Sequence, residues 1–153
     1  MSTESIQSLE IGSTQYNWLK KDLANIDRKK TPWIIASHHR PSYSPNGFGE
    51  EDVRKILDPI YEEFKIDLVI VGHVHVYGRS CAALYGKCNK KGPIHLNLGT
   101  GGADFKAFRD RPSWTEVREY AKGVGKFEVT KKTIDFKFIN LEGKIIDKYT
   151  FSK

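Results

Sequence analysis

At 153 residues, with 39% apolar residues including 8 Phe, 7 Tyr and 3 Trp, the chain has the material for one domain with a real core, and disorder is excluded. Its formal charge of +6 suits a phosphate-bearing substrate. Lysines and arginines are scattered, with only Lys29-Lys30, Lys90-Lys91 and Lys131-Lys132 doubled between motifs, so no nucleic-acid partner is expected.

The opening MSTESIQSLEIG has no basic start and no apolar run, so no signal peptide is expected in this chain. Gly12-Ser13 then precedes Tyr16, Leu19, Leu23 and Ile26 at helical spacing, which predicts a helix over 14–27 with a Ser/Thr cap, closed by Arg28, Lys29 and Lys30. Thr31-Pro32 breaks it, and Trp33-Ile34-Ile35-Ala36 reads as a short buried strand. Pro41, Pro45, Asn46, Gly47 and Gly49 make the next stretch a loop. A second helix is expected over 50–64, with Val53, Ile56, Leu57, Ile60, Tyr61 and Phe64 on one face. Pro59 inside it should kink it or end a first segment.

Leu68-Val69-Ile70-Val71 is apolar throughout, as in a parallel strand covered on both faces. Ile94–Leu98 alternates and fits another strand. It runs into Gly99-Thr100-Gly101-Gly102, which has no following Lys-Ser/Thr and reads as a tight turn, not a phosphate cradle. After a loop with Trp114, strands are expected near 124–130, 133–140 and 144–151, an antiparallel meander turning at Leu141-Glu142-Gly143. Trp33, Phe105 and Trp114 read as packing residues, not a platform for bases. The whole is α/β with an α+β tail and no linker dividing it. No run approaches the ~20 apolar residues of a membrane span, so no membrane partner is expected.

Four of the five histidines fall in two places, Ser37-His38-His39-Arg40-Pro41 and Gly72-His73-Val74-His75-Val76-Tyr77-Gly78-Arg79, each directly after an apolar strand. Sites in open α/β sheets form beyond the carboxyl ends of strands, so the two clusters should converge there and bind metal. His95, inside a strand, reads as an ordinary packed or exposed histidine. Arg40 and Arg79 could add charge to the site, but solvated or ion-paired arginines are the expected reading. Cys81 and Cys88, with six residues between them, cannot alone make a four-ligand zinc site; spacing leaves a local disulfide and two free thiols equally open.

The string Gly72-His73-Val74-His75-Val76-Tyr77-Gly78-Arg79 resembles the fifth motif of the purple acid phosphatases, within the calcineurin-like metallophosphoesterases. Ser37–Pro41 with Tyr43 resembles the fourth. Ser2-Thr3-Glu4, Gly12–Leu19, Gly99–Gly102 and the closing meander are similar to that family's carboxy-terminal half, in the same order, closest to the long plant-type members. The resemblance implies half of a metallophosphoesterase αββα sandwich as a single partial domain over 1–153. It also implies a binuclear centre of iron with zinc, manganese or iron, and acid-phosphatase hydrolysis of phosphomonoesters or nucleotides by a metal-bound hydroxide. Two metals ~3.5–4 Å apart can clamp the attacking and leaving oxygens of such a displacement. Carried over position by position, His39 and His73 would bind the second metal and His75 the iron-type metal. Tyr77 would line the site, while His38, without a ligand role, would orient the loop or face solvent. The cysteines' similarity to plant-type members implies a Cys81–Cys88 disulfide and a secretory history.

The departures bear on activity. The family draws seven metal ligands from five motifs, and the Asp-x-Gly, Gly-Asp-x-x-Tyr and Gly-Asn-His-Glu types do not occur here. Asp22, Asp27, Asp52, Asp58 and Asp67 stand in no similar context, Gly78 replaces a usual Glu, and the Asn46–Gly49 loop carries no histidine. With three of seven ligands the chain is expected to be inactive alone, pairing with its missing amino-terminal half or with a homodimer mate. Two alternatives stand beside this: a mononuclear zinc hydrolase using His39, His73 and His75 with a water, and a non-catalytic binding module.

Overall fold

A helix between two apolar strands is the unit from which the site is built. The computed structural model describes residues 1–5, 8–47 and 51–153. β1 (Ile35–His38) leads through α2 (Glu51–Phe64) to β2 (Leu68–Val71), and the two strands pair in parallel, Ile35 with Leu68 through His38 with Val71. β2 pairs in parallel with β5 (Ile94–Leu98). β3 (Tyr77–Leu84) runs antiparallel to β5, with β6 (Thr115–Glu119) on its other side and β4 (Lys87–Cys88) on its far end. This mixed sheet has the order β1-β2-β5-β3-β4, with β6 branching from β3. β7 (Gly123–Val129), β8 (Thr133–Asn140) and β9 (Ile145–Ser152) make a separate antiparallel sheet.

The apolar run of β2 serves two cores because strand side chains alternate. Val69 and Val71 pack with Leu57, Ile60 and Tyr61 of α2 and with Leu23 of α1 (Thr14–Ala24). Leu68 and Ile70 face Phe136 and Phe138 of the second sheet. Burying each such side chain contributes roughly 1.5–3 kcal/mol, so the layers are helices, mixed sheet, meander. The meander agrees closely with the expected strands. The disulfide Cys81–Cys88 is formed and staples β3 to β4.

Several boundaries moved. The Ser13 hydroxyl caps α1 by accepting from the Tyr16 N–H at 3.2 Å, as expected, but the helix stops at Ala24. There the Asn25 side chain donates to the Lys21 carbonyl at 2.8 Å, competing with continuation. Arg28 does not close the helix; its guanidinium donates to the Pro32 and Phe64 carbonyls and to Asp67, joining two chain segments. The first strand starts later than expected because the Ile34 N–H is taken by the Asp67 carboxylate at 2.8 Å. α2 passes through Pro59 without ending, since Pro59 is on the exposed face, where water can satisfy the carbonyl it leaves unpaired. Gly49 and residue 50, where the loop and helix were expected to meet, lie outside the described residues.

Candidate metal centre

β1 and β2 end side by side, so the residues that follow them must meet. The Gly72 N–H donates to the His39 carbonyl at 3.0 Å, carrying the pairing one step past the strands. His39 Nε2 and His73 Nδ1 then lie 3.1 Å apart, their rings edge-on at 74°. Both rings are exposed at the carboxyl end of the parallel strands.

His73 sits at φ +62°, a left-handed conformation that costs an ordinary residue on the order of 1 kcal/mol. The surroundings hold it there. Val74 N–H donates back to the Gly72 carbonyl at 2.7 Å, and Val76 N–H to the Val74 carbonyl at 2.9 Å. Asn97, buried on β5, donates from Nδ2 to the Val74 and Val76 carbonyls at 2.8 and 2.5 Å. A Cβ at Gly99 would fall 2.2 Å from the Val74 carbonyl oxygen, so only glycine lets the turn press against this loop. The sequence reading missed Asn97; an amide at a polar position of an alternating strand, two residues before a glycine turn, was the available signal.

His75 turns away from the other two. Its Nδ1 lies 2.8 Å from the Asp104 carbonyl, which can only accept, so Nδ1 carries the proton and Nε2 keeps its lone pair. Metal-bound histidines are oriented in this way. A tetrahedral ion with nitrogens at ~2.0–2.1 Å sets them roughly 3.3 Å apart, close to the His39–His73 separation. The donor chemistry therefore fits a metal. Among the described residues, however, no three His, Cys, Asp or Glu side chains gather around one position as they stand. The three-histidine mononuclear arrangement is thus not assembled.

The remaining candidates lie elsewhere. His38 is buried, its Nδ1 2.9 Å from the Arg40 carbonyl and its Nε2 2.8 Å from the Tyr61 hydroxyl. It does not face solvent; it ties the loop carrying His39 to α2. Burial pulls its pKa down to about 4, so it is neutral at ordinary pH. His95 is fully buried beside Tyr43, its ring centroid 4.4 Å away, and burial pulls its pKa down to about 3. Tyr77 is completely buried, stacked on Phe138 at 4.0 Å, and its hydroxyl is committed to Asp147 at 2.6 Å. The Arg79 guanidinium donates to the same carboxylate at 2.7 and 3.2 Å. This nearly buried pair clamps the meander to the mixed sheet. Arg40 lies on the site side, its Nε 3.5 Å from Glu4.

Two family models match the chain, the calcineurin-like phosphoesterase model over residues 2–77 and the iron/zinc purple acid phosphatase-like protein C-terminal model over 92–148. The chain is 34% identical over 128 residues to purple acid phosphatase 18 of Arabidopsis thaliana, covering 79% of this chain and 29% of that protein. It is 32% identical over 163 residues to the probable inactive purple acid phosphatase 1 of the same plant, covering 93% of this chain and 27% of that one. The structure of a purple acid phosphatase from yellow lupin (Lupinus luteus) seeds superposes with a TM-score of 0.89 at 28% identity, over 99% of this chain and 30% of that chain. The chain thus spans less than a third of the length of these relatives.

Proposed function

We infer function from the premise that this chain belongs to the purple acid phosphatases, calcineurin-like phosphoesterases whose name its relatives carry. The reading is that residues 1–153 form one partial catalytic domain, the carboxy-terminal portion of an acid phosphatase. It contributes His39, His73 and His75 to a binuclear centre of iron with zinc, manganese or iron. The observation that carries this is the 3.1 Å approach of His39 Nε2 and His73 Nδ1, together with the Asp104 carbonyl that holds His75 Nδ1 and leaves its Nε2 a lone pair. His39 and His73 would hold one ion and His75 the other. Such ions, when bound, neutralise phosphate oxygens and make a water acidic enough to attack.

The chain's own residues provide position. Asn97 and the glycine at 99 hold the His73–His75 loop in its left-handed turn. His38 and Tyr61 hold the His39 loop from behind. The remaining ligands come from carboxylate-, tyrosine- and asparagine-bearing segments of the kind that make up the rest of the relatives. Phosphomonoesters, nucleotides among them, are the substrate class. The Cys81–Cys88 disulfide supports a secretory location, since such bonds persist in oxidising compartments. Among the described residues no helix is long and apolar enough to cross a membrane.

A chimera tests the reading: this chain replaces the matching segment of purple acid phosphatase 18. Metal-dependent hydrolysis of p-nitrophenyl phosphate at mildly acidic pH, lost on His73→Ala, is expected. A folded, metal-loaded chimera without turnover would instead support the second reading, a non-catalytic module, which the likeness to a relative called probably inactive favours.

A further inference from the structure

The segment after β5 carries an aromatic pair that the histidine motifs do not account for. Phe105 is 43% exposed and Tyr120 48%, and their rings meet edge to face at 68° with centroids 5.6 Å apart. The packing role expected of Phe105 from the sequence accounts for only part of its surface. We propose that Phe105 and Tyr120 form a stacking platform for the substrate's leaving group, so that this chain favours phosphomonoesters whose alcohol carries a planar aromatic ring. This rests on the reading of the chain as part of a phosphatase with His75 at its metal centre.

The platform is tied to the candidate centre. The Asp104 carbonyl accepts from His75 Nδ1 at 2.8 Å, and the Lys106 N–H donates to the His75 carbonyl at 3.4 Å. Phe105 stands between these two contacts, so its side chain leaves the backbone beside His75. Tyr120 reaches the same place from β6: Glu119, the residue before it, pairs with Tyr77, two residues past His75. An aromatic ring on the leaving group of an ester held at His75 would therefore meet these two rings first.

The segment from Gly102 to Phe108 has no regular secondary structure, yet it is held at every second residue. Lys122 Nζ donates to the Gly102 carbonyl at 3.1 Å, His75 grips Asp104 and Lys106, and the Tyr120 hydroxyl accepts from the Phe108 N–H at 2.6 Å. The Phe108 ring packs on Tyr120 with centroids 4.0 Å apart, which braces that ring. A platform fixed before its ligand arrives loses little conformational freedom on binding. Lys122 Nζ also lies 5.8 Å from the Phe105 centroid, which puts a positive charge at the platform's rim. That charge attracts the electron-rich face of an aromatic ring and the ester oxygens next to it. A nucleobase or an aryl ring has a flat π-face to lay on Phe105, and an alkyl alcohol has none, so the platform discriminates between them.

The test is saturation-transfer NMR on the full chain with adenosine monophosphate, phenyl phosphate and glycerol 2-phosphate. The variants are Phe105→Ala, Phe105→Tyr and, as an exposed aromatic elsewhere, Tyr85→Ala, each shown to be folded by circular dichroism. Saturation should reach the ring protons of the aromatic ligands and not glycerol 2-phosphate. Phe105→Ala should weaken it at least ~5-fold, while Phe105→Tyr and Tyr85→Ala match the unmodified chain. Saturation of adenine alone assigns a nucleobase to the platform, and saturation of both rings assigns any planar aryl group. In the chimera with purple acid phosphatase 18, Phe105→Ala should raise KM for phenyl phosphate at least ~5-fold and leave KM for glycerol 2-phosphate unchanged. Ring saturation that survives Phe105→Ala, or an equal rise in both KM values, overturns the platform. A chimera without turnover counts against the phosphatase reading instead, and the ring saturation still decides whether Phe105 binds aromatic ligands.

Discussion

Two sets of histidines share one sheet and meet opposite fates. His39, His73 and His75 sit in loops past the strand ends, the first two exposed with their rings 3.1 Å apart at Nε2 and Nδ1, the third tied to the Asp104 carbonyl. His38 and His95 lie within the strands, buried and neutral, on the face that packs against α2. His38 and His39 are consecutive, yet strand alternation and the end of the sheet send them to different environments. The lesson is that the histidine just past the last residue of the strand is exposed and a candidate ligand. The one before it belongs to the scaffold.

The sharpest way to break this contrast is acid. The folded pKa values of His38 and His95 are lowered by burial to about 4 and about 3, against an unfolded value of ~6.5. Between those values the unfolded chain binds more protons than the folded one, so stability falls as pH falls. It is fully present above pH ~6.5, with about 3 kcal/mol lost by pH 4 from His38 alone. Urea midpoints between pH 7 and 4 measure this; a flat profile would place both rings in water.

Substitution separates the sets more locally. His38→Ala leaves the Tyr61 hydroxyl and the Arg40 carbonyl without their partner and should cost about 3 kcal/mol. Asn97→Ala removes both clamps on the His73–His75 loop and should cost about 2 kcal/mol. It should also weaken metal binding ~10-fold, as expected of a group that orients ligands. Cys81→Ser with Cys88→Ser opens a short loop where β3 meets β4 and should cost about 2 kcal/mol with metal affinity unchanged. His39→Ala should change the urea midpoint by under about 0.5 kcal/mol while abolishing metal binding. Equal stability losses from His38→Ala and His39→Ala would erase the distinction between the sets.

Much of this was legible in the amino acids. Val69 and Leu68 announced a strand covered on both faces, and the three strands of the closing meander were expected close to where they lie. The convergence of the two histidine motifs followed from both standing after such strands. β3 and β6 were missed for opposite reasons. β3 runs between strands and is packed with Gly78, Ser80, Ala82 and Ala83, so it carries no alternation; Gly78 is needed because Pro45 would lie 2.4 Å from a Cβ there. β6, Thr-Glu-Val-Arg-Glu, is too charged to look like a strand and is held by its pairing with β3. The destinations of Tyr77 and Arg79 could not be read either. Their shared partner, Asp147, comes from a strand 68 or more residues away, and only tertiary packing brings it there.

The most direct test of the central claim is the metal content of the purified chain, by elemental analysis, together with its turnover of p-nitrophenyl phosphate at mildly acidic pH. A chain that supplies only part of a binuclear centre should hold no more than one ion and show no turnover. Two ions per chain with turnover would show that these residues complete the centre unaided, and would contradict the account.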